Sequence, residues 1–252
     1  MTLDNKLILL IPARSGSKRL KNKNLRKVNN KPLLYYKIKA CLNTGLGKVI
    51  VSTNSKKISK YSARIGASVP FLRPKKYSTS HASTISVVLN YLRYLKKKKI
   101  KYPNYIGIFP PTNPFLKSKT IINAYNILLK NKKFESIVSY TNSYDHLFNF
   151  INIKKKKILF NRYKINNKNY SSFERTQDRP VSHVVSPALR ITKTKYYLSY
   201  IKNIKSSFKK KPFNIKNCTG IYIDNLESFD INNKGDLELA KIYIKNNKKI
   251  IK

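Results

Sequence analysis

The sequence is poor in acidic residues and in cysteine, and both shortages narrow the range of functions. Its 252 residues include 10 Asp and Glu against 54 Lys and Arg, and only two Cys. Cys41 and Cys218 are too few for a disulfide framework or a four-ligand zinc site, so metal chemistry would need oxygen ligands. No run of about 18 apolar residues is present, and no secretory signal follows Met1–Asn5. We therefore expect a cytoplasmic protein with no membrane span.

The formal net charge of +44 would suit a polyanionic partner such as nucleic acid. The lysines, however, are spread along the whole chain amid frequent Asn, Ile and Tyr. The tight runs Lys96–Lys99, Lys154–Lys157 and Lys209–Lys211 lie between apolar segments, as solvated turns and helix ends do. A genomic preference for AT-rich codons explains this composition better than a nucleic-acid surface, which stays the alternative.

Short β-branched runs alternate with longer segments of helical period along the first 140 residues. This alternation predicts a doubly wound α/β fold, in which crossover helices cover a mainly parallel sheet. The predicted strands are Leu7–Ile11, Lys48–Thr53, Ser68–Phe71, Tyr105–Phe109 and Ser136–Tyr140. The predicted helices are Pro32–Asn43, Lys56–Ile65, Thr84–Leu95 and Lys119–Lys130, with Ser55 and Ser118 as N-caps.

The pattern changes beyond Tyr140. Two short apolar runs, Phe148–Ile153 and Lys157–Phe160, indicate a hairpin, and the stretch 166–180 is polar and irregular. A strand at Gly220–Asp224 and a helix near Lys234–Lys245 follow. We expect one domain over residues 1–252, with a small insertion at 141–180.

A basic loop follows the first predicted strand directly. Residues 12–24 hold one glycine, two serines and five cations. Ligands of open α/β sheets bind beyond the carboxyl ends of the strands, so this loop lies where a nucleotide is expected. Backbone amides and Ser17 can cradle phosphate oxygens, while Arg14 and Lys23 supply neutralising charge. The loop is neither a P-loop nor a GxGxxG motif, and a solvated surface loop is the alternative.

The segment Ile11–Lys18, followed by Asn22–Leu25, resembles the signature loop of the acylneuraminate (CMP-sialic acid synthetase) cytidylyltransferases. Further motifs keep the order of that family: Val51–Asn54, Leu72–Pro74 through Ala82–Thr84, Pro111–Pro114, and Asp230–Asn232 before Gly235–Leu237. The resemblance implies a Rossmann-like fold of the nucleotide-diphospho-sugar transferase type. It also implies transfer of CMP from CTP to the anomeric hydroxyl of a sialic-acid-like nonulosonate (neuraminate, legionaminate or pseudaminate), with release of pyrophosphate.

The resemblance also implies roles for single residues. Cytosine and ribose would be held by the backbone at Ala13 and Asn24, together with Arg73, Ala82 and Thr84. The phosphates would be held by Arg14, Ser17, Lys18 and Lys23. Displacement at the α-phosphorus accumulates negative charge on the departing pyrophosphate, which fixed cations and Mg²⁺ stabilise. We therefore expect Arg14, Lys23 and Asp230 to be catalytic.

A Mg²⁺ ion requires at least one carboxylate beside the phosphates. Asp230 matches the family's first metal-binding aspartate and is the expected ligand, although it would also suit a cap of the last helix. Asn232 stands where the family has a second aspartate, and its neutral amide oxygen is a second candidate ligand. Asp224 and Asp236 are the candidate substitutes.

A keto acid needs a cation for its carboxylate, and Arg175, Arg179 and Arg190 have the required chemistry. We expect Arg179 and Arg190, with Thr112 of the Pro-Thr motif, on the sugar side. The resemblance further implies a homodimer, in which residues 141–180 serve dimerisation or the sugar side.

Three alternatives stay open. One is the related cytidylyltransferase for the eight-carbon acid KDO, whose loop shares the Ser-x-Arg-Leu pattern found at Ser17–Leu20. The others are a basic nucleic-acid-binding protein built on the same fold, and a homologue that binds a sugar nucleotide without turning it over.

Overall fold

A six-stranded sheet with helices packed on both faces forms the body of the protein. The computed structural model describes residues 6–17, 19–143, 151–154, 157–160, 175–179, 181–201 and 212–246. The strands are β1 (Leu7–Pro12), β2 (Lys27–Val28), β3 (Lys31–Pro32), β4 (Lys48–Ser52), β5 (Tyr105–Ile108), β6 (Ser136–Asn142), β7 (Ile151–Lys154), β8 (Lys157–Phe160), β9 (His183–Lys193) and β10 (Cys218–Tyr222). The helices are α1 (Leu33–Leu42), α2 (Lys56–Ile65), α3 (Thr84–Lys97), α4 (Ser118–Lys130), α5 (Thr194–Leu198), α6 (Asn225–Ser228) and α7 (Lys234–Asn246).

The strand order of the main sheet is β10-β6-β9-β5-β1-β4. Strand β1 runs parallel to β4 and β5, and β10 runs parallel to β6. Strand β9 is antiparallel to both β5 and β6, so it joins two parallel groups. The other five strands therefore point the same way, and their carboxyl ends share one edge of the sheet. The predicted α/β fold with a mainly parallel sheet is confirmed, although the sequence analysis misses β9.

Both faces of β1 are buried, which explains its unbroken apolar run. Leu7, Leu9 and Ile11 face a core that includes residues of α1, α2 and α4. Ile8 and Leu10 face a second core, built largely on α3. A strand covered on both sides has no solvent face, so it shows no polar alternation.

Two local predictions are wrong. Ser68–Phe71 forms only an isolated bridge between Ser68 and Ile50, because Pro70 has no N–H to donate to a ladder. Ser118 does not cap α4 either: Lys117 occupies the N-cap position, and its backbone N–H donates to Oε2 of Glu227. The other predicted cap is confirmed, since the Oγ of Ser55 accepts from the N–H of Ile58 at the start of α2.

The predicted hairpin is confirmed over the residues that the structure describes, because β7 and β8 pair antiparallel. Most of the irregular stretch 166–180 lies outside the described residues, and the insertion at 141–180 stays a prediction. None of the described helices combines the length and apolar character that crossing a bilayer requires.

Candidate active site

The loop after β1 is fastened to the loop after β4 at the carboxyl edge of the sheet. The backbone N–H of Ala13 donates to the carbonyl of Ser52 over 2.9 Å. The backbone N–H and the hydroxyl of Ser15 both donate to Oδ1 of Asn54, over 2.9 and 3.1 Å. The N–H of Ala13 is thus used within the fold.

The same loop folds back on itself. Gly16 and Asn22 adopt left-handed backbone conformations, with φ of 79° and 57°, which allow the chain to turn sharply. The buried Asn24 side chain donates from Nδ2 to the carbonyl of Arg14 over 2.9 Å. The guanidinium of Arg14 donates to the carbonyl of Gly16. Asn24 therefore shapes the loop through its side chain.

Lys23 connects this loop to the segment before α7. Its Nζ donates to the carbonyl of Ile231 over 2.8 Å. Burial lowers the pKa of Lys23, and the charge of nearby Asp230 opposes the lowering. The charges of Arg19 and Arg14 lower this pKa, and that of Asp236 opposes the lowering. The structure thus places Lys23 beside the Asp230 segment, and the expected catalytic roles of Arg14, Lys23 and Asp230 stay predictions.

Asp230 has one carboxylate oxygen free to bind a cation. Its Oδ2 accepts from Nδ2 of Asn232 over 2.9 Å, while its Oδ1 is buried and accepts no hydrogen bond from any described residue. A buried, unpaired carboxylate oxygen is a suitable ligand for a hard cation such as Mg²⁺. No group of three or more His, Cys, Asp or Glu side chains that could hold a metal occurs in the described ranges.

The Pro-Thr motif holds the Asp230 segment in place. The carbonyl of Thr112 accepts from the N–H of Ile231 over 2.8 Å. Nδ2 of the fully buried Asn113 donates to the carbonyl of Ser228 over 2.9 Å. Thr112 thus acts here through its backbone, and its expected place on the sugar side stays a prediction.

Asp236 takes part in the cap of the last helix, through one of its two carboxylate oxygens. Its Oδ2 accepts from the N–H groups of Asn232 and Asn233, over 2.7 and 3.0 Å. Its own N–H donates back to Oδ1 of Asn233, so the two side chains form a reciprocal capping box at the start of α7. The cap of the last helix is therefore Asn233, and Asp230 is free of that role.

Both carboxylate oxygens of Asp224 have partners within the fold. Its Oδ1 accepts from the N–H of Glu227, and its Oδ2 lies 3.1 Å from Nζ of Lys117. It caps α6 and forms an ion pair on the surface. Asp224 and Asp236, the candidate substitutes for a second acidic ligand, thus both have structural contacts, and their expected role at a metal stays a prediction.

Arg73 braces the loop after β4. It is 4% exposed, and its two Nη atoms donate to the carbonyls of Ser52 and Tyr77, over 2.8 and 3.3 Å. Burial and, to a smaller extent, the charge of Arg14 lower its pKa to about 10. Two of its five N–H donors are used within the fold, and its expected contact with the nucleotide stays a prediction.

The remaining base-side residues lie at the start of α3. Ala82 is half-buried, and its N–H donates to the carbonyl of Thr79. Thr84 is the first residue of α3, and the helix is capped by Ser83, whose Oγ accepts from the N–H of Ser86. Their expected contact with cytosine and ribose stays a prediction.

Of the two expected sugar-side arginines, the structure brings Arg190 to the site. Burial lowers the pKa of Arg190, while Tyr197 and Asp230 oppose the lowering, so this guanidinium lies near the Asp230 carboxylate. Arg179 follows the short 3₁₀ turn Thr176–Asp178. Lys18 lies outside the described residues, and Ser17 is half-buried.

Sequence analysis misses two buried charges near the site. Glu227, 5% exposed, accepts from the N–H of Lys117 and from the hydroxyl of Thr120, each over 3.0 Å. Lys37 is fully buried on α1, and its Nζ has no hydrogen-bond partner among the described residues. Its position one helical turn before the apolar Cys41 was a readable signal of burial.

Comparison with known proteins agrees with this geometry. A family model described as cytidylyltransferase matches residues 8–222. The chain therefore belongs to the cytidylyltransferase family, as its motifs predict.

Two relatives illustrate the relationship. Over 123 residues the chain is 36% identical to CMP-N,N'-diacetyllegionaminic acid synthase from Legionella pneumophila, covering 48% of this chain and 53% of that protein. Over 128 residues it is 33% identical to pseudaminic acid cytidylyltransferase from Campylobacter jejuni, covering 50% and 55%. The matches thus span about half the length of these relatives.

A solved structure supports the fold. CMP:2-keto-3-deoxy-manno-octonic acid synthetase, complexed with CTP, superposes with a TM-score of 0.68 at 12% identity, covering 96% of this chain and 99% of that chain. At that identity the likeness shows the fold alone.

Proposed function

We propose that this protein transfers CMP from CTP to the anomeric hydroxyl of a sialic-acid-like nonulosonate and releases pyrophosphate. The observation that carries the proposal is the hydrogen bond from Nζ of Lys23, in the basic loop, to the carbonyl of Ile231, beside Asp230, whose buried Oδ1 accepts no hydrogen bond from any described residue. Membership of the cytidylyltransferase family supports the reaction. The names of the legionaminic and pseudaminic relatives favour a nonulosonate over the KDO alternative.

In this reaction the anomeric hydroxyl gives up its proton to water, its oxygen bonds to the α-phosphorus, and the bond to the bridging oxygen of pyrophosphate breaks. The electron pair of that bond leaves with pyrophosphate, so negative charge accumulates on the leaving group. Arg14 and Lys23 are fixed by backbone contacts and would meet this charge without reorganising. Loss of one such stabilising group typically slows an enzyme by about 10² to 10³.

Asp230 would hold a Mg²⁺ ion through its buried Oδ1. When bound, such an ion neutralises phosphate charge and acts as a Lewis acid on the reacting phosphoryl group. Lys23 lies close enough to Asp230 for their charges to interact, so the basic loop and the acid would contact one polyphosphate.

Arg190, which is half-buried on β9 and interacts electrostatically with Asp230, is our candidate for the carboxylate of the sugar acid. Arg179 and Thr112 are proposed for the same side. We also propose a homodimer paired through residues 141–180 and a cytoplasmic location. The even spread of lysines gives no reason to propose a nucleic-acid partner.

The test is pyrophosphate release from CTP with neuraminate, legionaminate, pseudaminate or KDO, each with and without Mg²⁺. We expect release with at least one nonulosonate, faster than with KDO, and only with Mg²⁺. Lys23→Ala should abolish most of the activity, whereas Lys21→Ala, which removes an exposed lysine of the same loop, should not.

Three results would contradict the proposal in different ways. Preference for KDO would make the substrate class wrong. Binding of CTP without turnover of any acid would indicate an inactive homologue. Salt-sensitive RNA binding that ignores CTP would favour the nucleic-acid alternative.

A further inference from the structure

The amide of Asn232 joins Asp230 to Arg19. Its Nδ2 donates to Oδ2 of Asp230 over 2.9 Å, and its Oδ1 accepts from Nη2 of Arg19 over 3.2 Å. An amide both donates and accepts, so one side chain serves a carboxylate and a guanidinium at the same time. An ionised carboxylate at this position would have no proton to donate to Asp230.

The bond to Asn232 leaves the charge of Arg19 uncompensated. Arg19 is exposed, and no acidic side chain forms an ion pair with it in the part of the chain that the structure describes. A neutral amide occupies only one of its five N–H donors. The guanidinium is therefore held in place and still able to bind an anion.

Three cations of the loop converge on one side of Asp230. Arg14 and Arg19 both act electrostatically on Lys23, whose Nζ bonds to the carbonyl next to Asp230. The exposed Arg19 and the half-buried Arg14 and Lys23 outnumber the two acids that act on Lys23, Asp230 and Asp236. The resulting net positive charge suits a polyphosphate better than a second divalent cation. Because Oδ1 of Asn232 already accepts from Arg19, it is a poor metal ligand.

We propose that Arg19 binds the phosphates beyond the first in the nucleoside triphosphate, and that Asn232 is a positioning residue for Asp230 and Arg19, not a metal ligand. This inference rests on the proposed function, because it assumes that the loop holds CTP. The inference implies that Arg19 supplies positive charge which a second metal ion, bound by a second aspartate, would otherwise supply.

Calorimetric binding in EDTA tests this role without metal and without turnover. The probes are CTP and CMP, which differ only in the two outer phosphates. Arg19→Ala should weaken CTP binding about tenfold or more, as expected for the loss of a charge-assisted hydrogen bond, and leave CMP binding within about twofold. Lys21→Ala, the loop control, should change neither.

Asn232→Asp tests the positioning role. The new carboxylate would pair with Arg19 and give Asp230 no donor, so we expect weaker CTP binding in EDTA and unchanged CMP binding. Added Mg²⁺ should then raise CTP affinity by a larger factor in Asn232→Asp than in the wild type. Thermal unfolding of each variant checks that the fold is intact, which the exposure of Arg19 favours.

The outcomes separate this inference from the proposed function. If the wild type binds no CTP with or without Mg²⁺, the proposed function is wrong and the inference falls with it. If the wild type binds CTP but Arg19→Ala changes CTP and CMP affinity equally or not at all, the inference alone is wrong. If Asn232→Asp binds metal-free CTP as tightly as the wild type, Asn232 has no positioning role.

Discussion

Replacing Lys37 by methionine should make the protein more stable. Its ammonium group is fully buried on α1, and burial lowers its pKa to about 8 from 10.5. That value already includes the opposing attraction of Glu227 and Asp230. At about 1.4 kcal/mol per pH unit, the charged form destabilises the folded state by about 3 kcal/mol at pH 7. Lys37→Met should therefore raise the free energy of unfolding at pH 7 by about that amount.

The pH dependence gives the sign of the effect. Below about pH 8 Lys37 is protonated in both the folded and the unfolded protein, so its buried charge destabilises the fold by the full amount. Between about pH 8 and 10.5 the folded state has lost a proton that the unfolded state keeps, so wild-type stability rises with pH. The advantage of Lys37→Met should shrink accordingly. Urea unfolding at pH 7 to 10 measures it, with the exposed Lys39→Met as control. A destabilised variant, or an advantage that is constant over this range, would refute the reasoning.

Three further predictions concern the site and its support. Arg14→Ala should slow pyrophosphate release about 100-fold. Glu227→Gln should lower the free energy of unfolding by about 1–3 kcal/mol, because buried charge-assisted hydrogen bonds are lost. The exposed Glu238→Gln should change it little, and urea unfolding measures both variants. Cys41 should resist a thiol reagent at pH 8 until the protein is denatured, because burial raises its pKa to about 12.

Each of these has a contrary result. Undiminished turnover of Arg14→Ala would show that the loop cation does not meet the leaving group. Equal stability of the Glu227 and Glu238 variants would show that the buried contacts contribute nothing. Rapid modification of native Cys41 would show that α1 opens readily.

The parallel strands were predictable because their signal is local. Strand β1 is a continuous apolar run, and α2 has a serine cap and a terminal Gly66 with φ of 104°. Strand β9 was not predictable in this way, since it contains Pro187 and several polar residues. Its conformation depends on antiparallel pairing with β5 and β6, including a bulge opposite Val138 and Tyr140.

In the candidate site, too, features with a local sequence signal were predictable and contacts between distant residues were not. The loop cations could be located because they directly follow a predicted strand. The pairing of Arg19 with Asn232 could not, because it joins residues 213 positions apart. The capping role of Asp236 was readable, since Asn233 stands three residues before it at the start of a predicted helix.

The central claim is that the basic loop and Asp230 hold one CTP with its divalent ion. The most direct measurement is the Mg²⁺ dependence of pyrophosphate release, compared between the wild type, Asp230→Asn and the exposed acid control Glu238→Gln. We predict that Asp230→Asn lowers the maximal rate about 100-fold or more and shifts the midpoint to higher Mg²⁺, while the control matches the wild type. An Asp230→Asn enzyme with unchanged rate and unchanged midpoint would contradict the account.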